Sequence, residues 1–180
     1  MWFKNTLPHR QNGAVAQTDD GKSRVPLNSA ASKTRERSSF MFTGEYTHSV
    51  DAKKRIFVPA RFREELGETF VVARDIRGGI LKVFSLEGWQ NYIAPIMNQE
   101  RKLSEKAIRY LHRNALQVSP DVQGRILLTK DLLDYAKIEK DAVIVGCNSY
   151  IEIWSAENYA REIEDEDIED IRRSLELFGL

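Results

Sequence analysis

Two stretches seventy residues apart place an aspartate four residues before an arginine. The first, VDAKKRIFVPARF, covers residues 50–62, and the second, PDVQGRILLTKDL, covers 120–132. In each, three apolar residues follow the arginine. The charge around them differs. Residues 51–63 carry Lys53, Lys54, Arg55, Arg61 and Arg63 against Asp51 alone, net +4, whereas 121–133 carries Arg125 and Lys130 against Asp121 and Asp131, net zero. Ammonium and guanidinium groups gathered on one face bind anions, because the local field matters there and not the total charge. Asp51 with Arg55, and Asp121 with Arg125, are also spaced to pair and fix a turn.

Other chemistries find little support. His9, His48 and His112 are scattered, and no Cys/His group has zinc spacing. Arg77-Gly78-Gly79 lacks the Gly-Lys-Ser/Thr of a phosphate-cradling loop. The seven acids of 162–170 read as a solvated helix face. An enzyme, a metal site and a cofactor are therefore not expected. Cys147 is the sole cysteine, which excludes an internal disulfide and suits a reducing cytosol. It is expected to be an inert thiol at a strand end. No stretch approaches the roughly 20 apolar residues that span a bilayer, and the opening residues lack the apolar core of a secretory signal, so no membrane partner is expected.

The elements that must position the charged residues can be read along the 180-residue chain. Residues 1–40 are rich in Ser, Asn, Gln, Gly and charge without apolar periodicity, and read as a disordered extension. From Met41 onward, GEYTHSVDAKKRIFVP forms strands on both sides of a turn at 51–54. Pro59 opens a short helix, ARFREEL, which Gly67 stops. TFVVARD and ILKVF follow as strands around a turn at 77–79. Ser85 then caps a helix, with Glu87 in its first turn and Phe84 and Trp89 as a hydrophobic staple. Seventy residues on, Ser155, Glu157, Trp154 and Tyr159 repeat that arrangement.

Strand–turn–strand, short helix, two strands and capped helix thus occur twice. The reading is α+β, mainly β, in two tandem β domains with interspersed helices: an extension over 1–40, domains over 45–87 and 116–159, linking helices over 88–115 and an acidic helix over 160–180. Leu103, Ala107, Ile108, Leu111 and Ala115 share one helical face, and Ile163, Ile168, Ile171 and Leu175 mark a last helix. A unit of about 45 residues is marginal alone, so each is expected to pack on its twin, with the helices against them or against other subunits.

The head MFTGEY, both Asp-x-x-x-Arg motifs, Pro59-Ala60-Arg61-Phe62-Arg63 and the tail IEIWS fall in order. Together, over 41 to about 178, they resemble the MraZ family. The resemblance implies a bacterial transcriptional regulator of the cytoplasm and nucleoid. It implies two swapped-hairpin domains of the SpoVT-AbrB type with interleaved hairpins, and a ring-like homo-oligomer. It also implies binding to double-stranded DNA at direct repeats in the promoter of the division and cell-wall gene cluster. Lys54 stands where the family's first motif usually has glycine. If that position needs a positive φ, the lysine is strained by about 1 kcal/mol or more. Gly124 keeps the glycine in the second copy, and Thr129, as a helix cap, replaces its proline.

On this reading Lys53 and Lys54 neutralise phosphates, and Arg55 or a neighbour reads a guanine edge with its planar fork. Arg61 and Arg63 extend the patch, Arg125 is a further DNA candidate in neutral surroundings, and Asp51 and Asp121 fix the turns. Phe57, Val58 and Phe62 are expected in the core. The phrase is written twice because it builds the fold twice, and the excess charge marks the copy that meets DNA. The alternative is an AbrB-like antitoxin or interaction scaffold gripping a protein through the acidic tail, against which the duplicated unit argues. Residues 1–40 read either as a basic arm that grips DNA or, the preferred reading, as leader from an early start codon, with Arg35-Glu36-Arg37 as a translated ribosome-binding site.

Overall fold

The computed structural model describes residues 41–180 apart from 98 and 100; the readings made for 1–40 lie outside the described residues. The first repeat contributes β1 (Glu45–Ser49), β2 (Arg55–Phe57), α1 (Ala60–Leu66), β3 (Phe70–Arg74), β4 (Ile80–Ser85), α2 (Leu86–Met97) and α3 (Arg101–Arg113). The second contributes β5 (Ala115–Val118), β6 (Arg125–Leu127), α4 (Lys130–Ala136), β7 (Asp141–Cys147), β8 (Tyr150–Ser155), α5 (Ala156–Glu164) and α6 (Ile168–Leu177). No helix among the described residues is long and apolar enough to cross a membrane.

The chain is α+β and mainly antiparallel β, and its repeats are interleaved. Six strands form one sheet in the order β1-β7-β8-β4-β3-β5, and β2 pairs with β6 as a separate ribbon. The first strand of each repeat therefore leaves its own hairpin and lies on the other: Tyr46 faces Ile144, and Leu116 faces Val72. At the centre of the sheet Lys82 faces Glu152, and in the ribbon Ile56 faces Ile126. Both pairs join residues seventy apart, so an approximate two-fold relates the repeats. The β3–β4 turn spans 75–79, while Asn148 and Ser149 alone join β7 to β8.

Side-chain alternation sorts the core onto two faces of the sheet. Phe70, Val72, Leu81, Val83, Ala142, Ile144, Ile151 and Ile153 point to the larger core, closed over by Ile56, Ile126, Phe62, Leu66, Leu132 and Leu133 from the ribbon, α1 and α4. Phe57 stays half-buried on the ribbon's other face while Val58 and Phe62 are fully buried. Val71, Ala73 and Phe84 point the other way, against Trp89 of α2 and Leu111 of α3. The ribbon is thus bolted to the sheet by apolar burial worth about 1.5–3 kcal/mol per large side chain, and what it carries outward has a rigid base.

Local signals held where the caps were concerned. Gly88 N–H donates to Ser85 Oγ at 3.0 Å and Asn158 N–H to Ser155 Oγ at 3.1 Å. The staple rings lie 5.6 Å apart for Phe84–Trp89 and 5.9 Å for Trp154–Tyr159. Thr129 caps α4 by accepting from Leu132 N–H. Two helical readings change. Ala115 opens β5 instead of extending α3, because the chain turns at Asn114, whose carbonyl accepts from Arg74 N–H and starts the pairing with β3; Leu103 is exposed. Residues 163–175 belong to two helices, since α5 closes at Asp165 and Asp167 caps α6 by accepting from Glu169 N–H at 2.8 Å.

Residues 42–44 lie flat across β7, with Phe42 N–H donating to Asn148 O and Gly146 N–H to Gly44 O, both at 2.8 Å. A Cβ on Gly146 would fall 2.5 Å from the backbone of Phe42 and Thr43. Gly146→Ala is therefore expected to lift this segment and destabilise the fold by about 1–3 kcal/mol. Chemical denaturation should register the loss, and hydrogen exchange should place it at Phe42 and Asn148. Unfolding and exchange like the parent's would refute the close-approach argument.

Candidate nucleic-acid interface

Each Asp-x-x-x-Arg motif is a turn wrapped around its aspartate. Asp51 Oδ1 accepts from the N–H groups of Lys53 at 2.8 Å and Arg55 at 2.9 Å. Asp121 Oδ1 accepts from Gln123 at 2.9 Å and Arg125 at 3.0 Å. Backbone bonds close both loops in the same way, Lys54 N–H to Asp51 O and Gly124 N–H to Asp121 O, each at 2.8 Å. The residue before each arginine is left-handed, with φ of +79° at Gly124 and +62° at Lys54. The turn thus keeps its shape although a lysine occupies the strained position, at a cost of about 1–2 kcal/mol.

The two turns are joined to each other as well. Antiparallel pairing of β2 with β6 buries Ile56 and Ile126 inward and leaves Arg55 and Arg125 on the outer face. Arg55 holds Asp51 Oδ2 through Nε at 2.9 Å and Nη2 at 2.7 Å, and Arg125 holds Asp121 Oδ2 with the same two distances. Each guanidinium also reaches the other repeat: Arg55 Nη1 lies 3.4 Å from Asp121 Oδ2, and Arg125 Nη1 lies 3.8 Å from Asp51 Oδ2. The backbone crosses in parallel, Val58 N–H donating to Gly124 O and Leu128 N–H to Lys54 O. Hydrogen bonding from Arg55 lowers the Asp51 pKa, and hydrogen bonding from Arg125 lowers that of Asp121 from 3.8 to about 2. The quartet is neutral as a unit.

The remaining positive charge of the motif stands around that quartet. Lys53 and Lys54 are exposed at the tip of the first turn, and no carboxylate among the described residues pairs with either. Arg61 is exposed on α1. Arg63 is half-buried: its Nε donates to Val58 O at 3.0 Å and its guanidinium lies 5.7 Å from the Phe57 ring centre. It also fills the space beside Gly124, where an added Cβ would meet its Cζ at 2.7 Å. An α1 side chain of the first repeat thus packs on the turn of the second. Sequence reasoning anticipated the pairing within each motif but missed the crossed pairs and the seat of Arg63. The seventy-residue offset held the missing signal, since swapped copies must bring equivalent turns together.

The lowered carboxylate pKa values set a sign. A group whose pKa is lower folded than unfolded stabilises the fold above its unfolded pKa, and that contribution is lost as pH falls through the folded one. Asp121→Asn should therefore be less stable than the parent at neutral pH, with the gap narrowing between about pH 4 and pH 2. Melting temperatures across that range test it; a gap independent of pH would show that the pairing is not what the substitution removes.

The MraZ protein family, described as antitoxin-like, matches residues 41–114 and again 111–175. Relatives each named Transcriptional regulator MraZ align along most of the chain. The one from Acetivibrio thermocellus is 36% identical over 144 residues, covering 78% of this chain and 100% of the relative. That of Lachnoclostridium phytofermentans is 40% identical, with 78% and 99% covered, and that of Carboxydothermus hydrogenoformans 43% identical, with 65% and 82% covered. A sequence matched twice by one family, folded as two interleaved copies of one unit, and aligned with these relatives through both copies belongs to the MraZ family.

Proposed function

We propose that this chain is a sequence-specific DNA-binding transcriptional regulator that acts on direct repeats in the promoter of a bacterial division and cell-wall gene cluster, in the cytoplasm and nucleoid. Its family is one of transcriptional regulators and not of enzymes. The observation that carries the DNA reading is the contrast within one rigid face. Asp51, Arg55, Asp121 and Arg125 cancel one another and fix two turns, while Lys53 and Lys54 on one of them pair with no carboxylate among the described residues. Lysines so placed exchange phosphate counterions on contact, which drives binding and makes it salt-dependent. Arg61 and Arg63 extend the cationic surface. Arg55 and Arg125 retain N–H groups beyond those their carboxylates use and enter the complex already oriented.

Assembly into a homo-oligomeric ring completes the reading. The apolar row Ile168, Ile171, Leu175 and Phe178 of the C-terminal segment is exposed in the single chain, which suits burial against further copies. Several weakly binding faces on one body would then engage successive repeats at a high effective concentration. A second reading, a protein-binding antitoxin, draws on the family's description and the acidic run 162–170; stoichiometric capture of a protein partner by a chain that ignores promoter DNA would favour it.

Gel shifts with the region upstream of its own gene, across a salt series, test the central reading. Lys53→Glu with Lys54→Glu should abolish most binding without changing the melting temperature, whereas unchanged affinity in the folded double variant would sink it. Ile171→Glu with Leu175→Glu should lower the mass seen by light scattering and weaken binding to the full repeat array more than to a single repeat. Dispersed subunits that bind the array as tightly as the parent would reject the ring's contribution.

A further inference from the structure

The two turns share a backbone, but their tips differ: Ala52-Lys53-Lys54 on the first, Val122-Gln123-Gly124 on the second. We propose that the second tip reads base edges while the first grips the phosphate backbone, so that each chain docks on duplex DNA in one polarity. The proposal rests on the DNA-binding reading above.

Val122 is more exposed than any other large apolar side chain among the described residues. A lone exposed valine means little by itself. This one stands on a turn whose aspartate accepts from the N–H groups of Gln123 and Arg125 and belongs to the Asp–Arg quartet that joins this turn to the lysine-bearing one. Its β-branched side chain has few rotamers to lose on binding, and its methyl groups are suited to the C5-methyl of thymine. Gln123, also exposed, carries the amide that pairs with adenine N6 and N7 in the major groove. Lysine ammonium groups are point charges suited to phosphates, which position a protein without specifying sequence.

The difference between the tips is built into the packing. Gly124 has no side chain, and Arg63 lies in the space one would need, with its Nε 2.7 Å and Nη2 2.9 Å from an ideal Cβ. A lysine there would have to displace the guanidinium that packs beside this turn. The second tip therefore matches the first only if the Arg63 guanidinium moves aside. Two identical tips about a two-fold would read a palindrome; one amide-and-methyl tip beside one diammonium tip reads a directional site. Direct repeats are the arrangement such a reader matches when copies follow one another along the duplex.

The test uses the full chain and fluorescence anisotropy with two duplexes: the region upstream of its own gene, and a scrambled duplex of equal composition. Val122→Ala with Gln123→Ala should weaken binding to the upstream duplex by about tenfold or more. Binding to the scrambled duplex, and the salt slope, should not change. Lys53→Ala with Lys54→Ala should weaken both complexes and flatten the salt slope by about 2. In a Cys147→Ser background, a cleavage reagent on Val122→Cys should cut on the same side of every repeat. A Val122/Gln123 variant that keeps the parent's preference for the upstream duplex overturns the base-reading role, and equal cutting on both sides overturns the polarity. If the parent itself fails to prefer the upstream duplex, it is the DNA reading that fails, and this proposal falls with it.

Discussion

Two carboxylates and two guanidinium groups, one of each from either repeat, hold the outer face together. Each aspartate orders its own turn through backbone N–H groups and accepts both arginines, so neither turn is complete without the other. The side chains are about one-quarter to one-third exposed, with values of 26–32%. Water and salt therefore limit the net energy of the ion pairs. What the quartet supplies is geometry: two turns fixed side by side, with their arginine planes set. The backbone bonds from Val58 to Gly124 and from Leu128 to Lys54 make the same exchange, and the buried Ile56–Ile126 pair beneath them supplies the apolar anchor.

Joining the two copies in one chain also frees the centre of the sheet from symmetry. Strict two-fold pairing would set like against like where β4 meets β8. Here Lys82 faces Glu152. Lys82 Nζ lies 3.6 Å from the buried Asp75, and Arg77 lies 3.0 Å from Asp75 and 4.0 Å from Glu152. Trp154 Nε1 donates to Glu152 at 3.0 Å. Buried charges are tolerated when every member has partners, and the differences between the repeats supply them here. The same freedom appears at the turns, where the first copy carries Lys53 and Lys54 and the second carries Gly124 with Arg63 packed beside it.

Much of the local structure could be read from the residues. Ser85, Ser155 and Thr129 cap because a hydroxyl before a helix satisfies a free N–H whatever lies beyond it. The staples and the turn at 51–54 depend on neighbours a few residues away, and they stand where the pattern placed them. Ala115 and the break at 165–167 were misread because helical periodicity continued through them, while a strand partner at Arg74 and a cap at Asp167 decided otherwise. Arg63 has the type of a DNA-facing cation; only the fold shows that it packs on the second repeat. Strand exchange was legible through the family resemblance and not through periodicity, since alternation says which face is buried but not which strand lies alongside.

Interleaving has a consequence for the chain as it is made. β1 cannot find its neighbour until β7 exists, about a hundred residues later, as the pairing of Glu45 with Val145 shows. Contacts so distant along the chain are slow to form, because loop-closure entropy is paid before they reward it. A ribosome-bound first repeat would hold β1 and β3 as open strand edges, and the ribbon would lack its other half. Synthesis of nearly the whole chain must then precede completion of the sheet, so a truncated transcript yields no working half-protein, only a fragment left to chaperones and proteases.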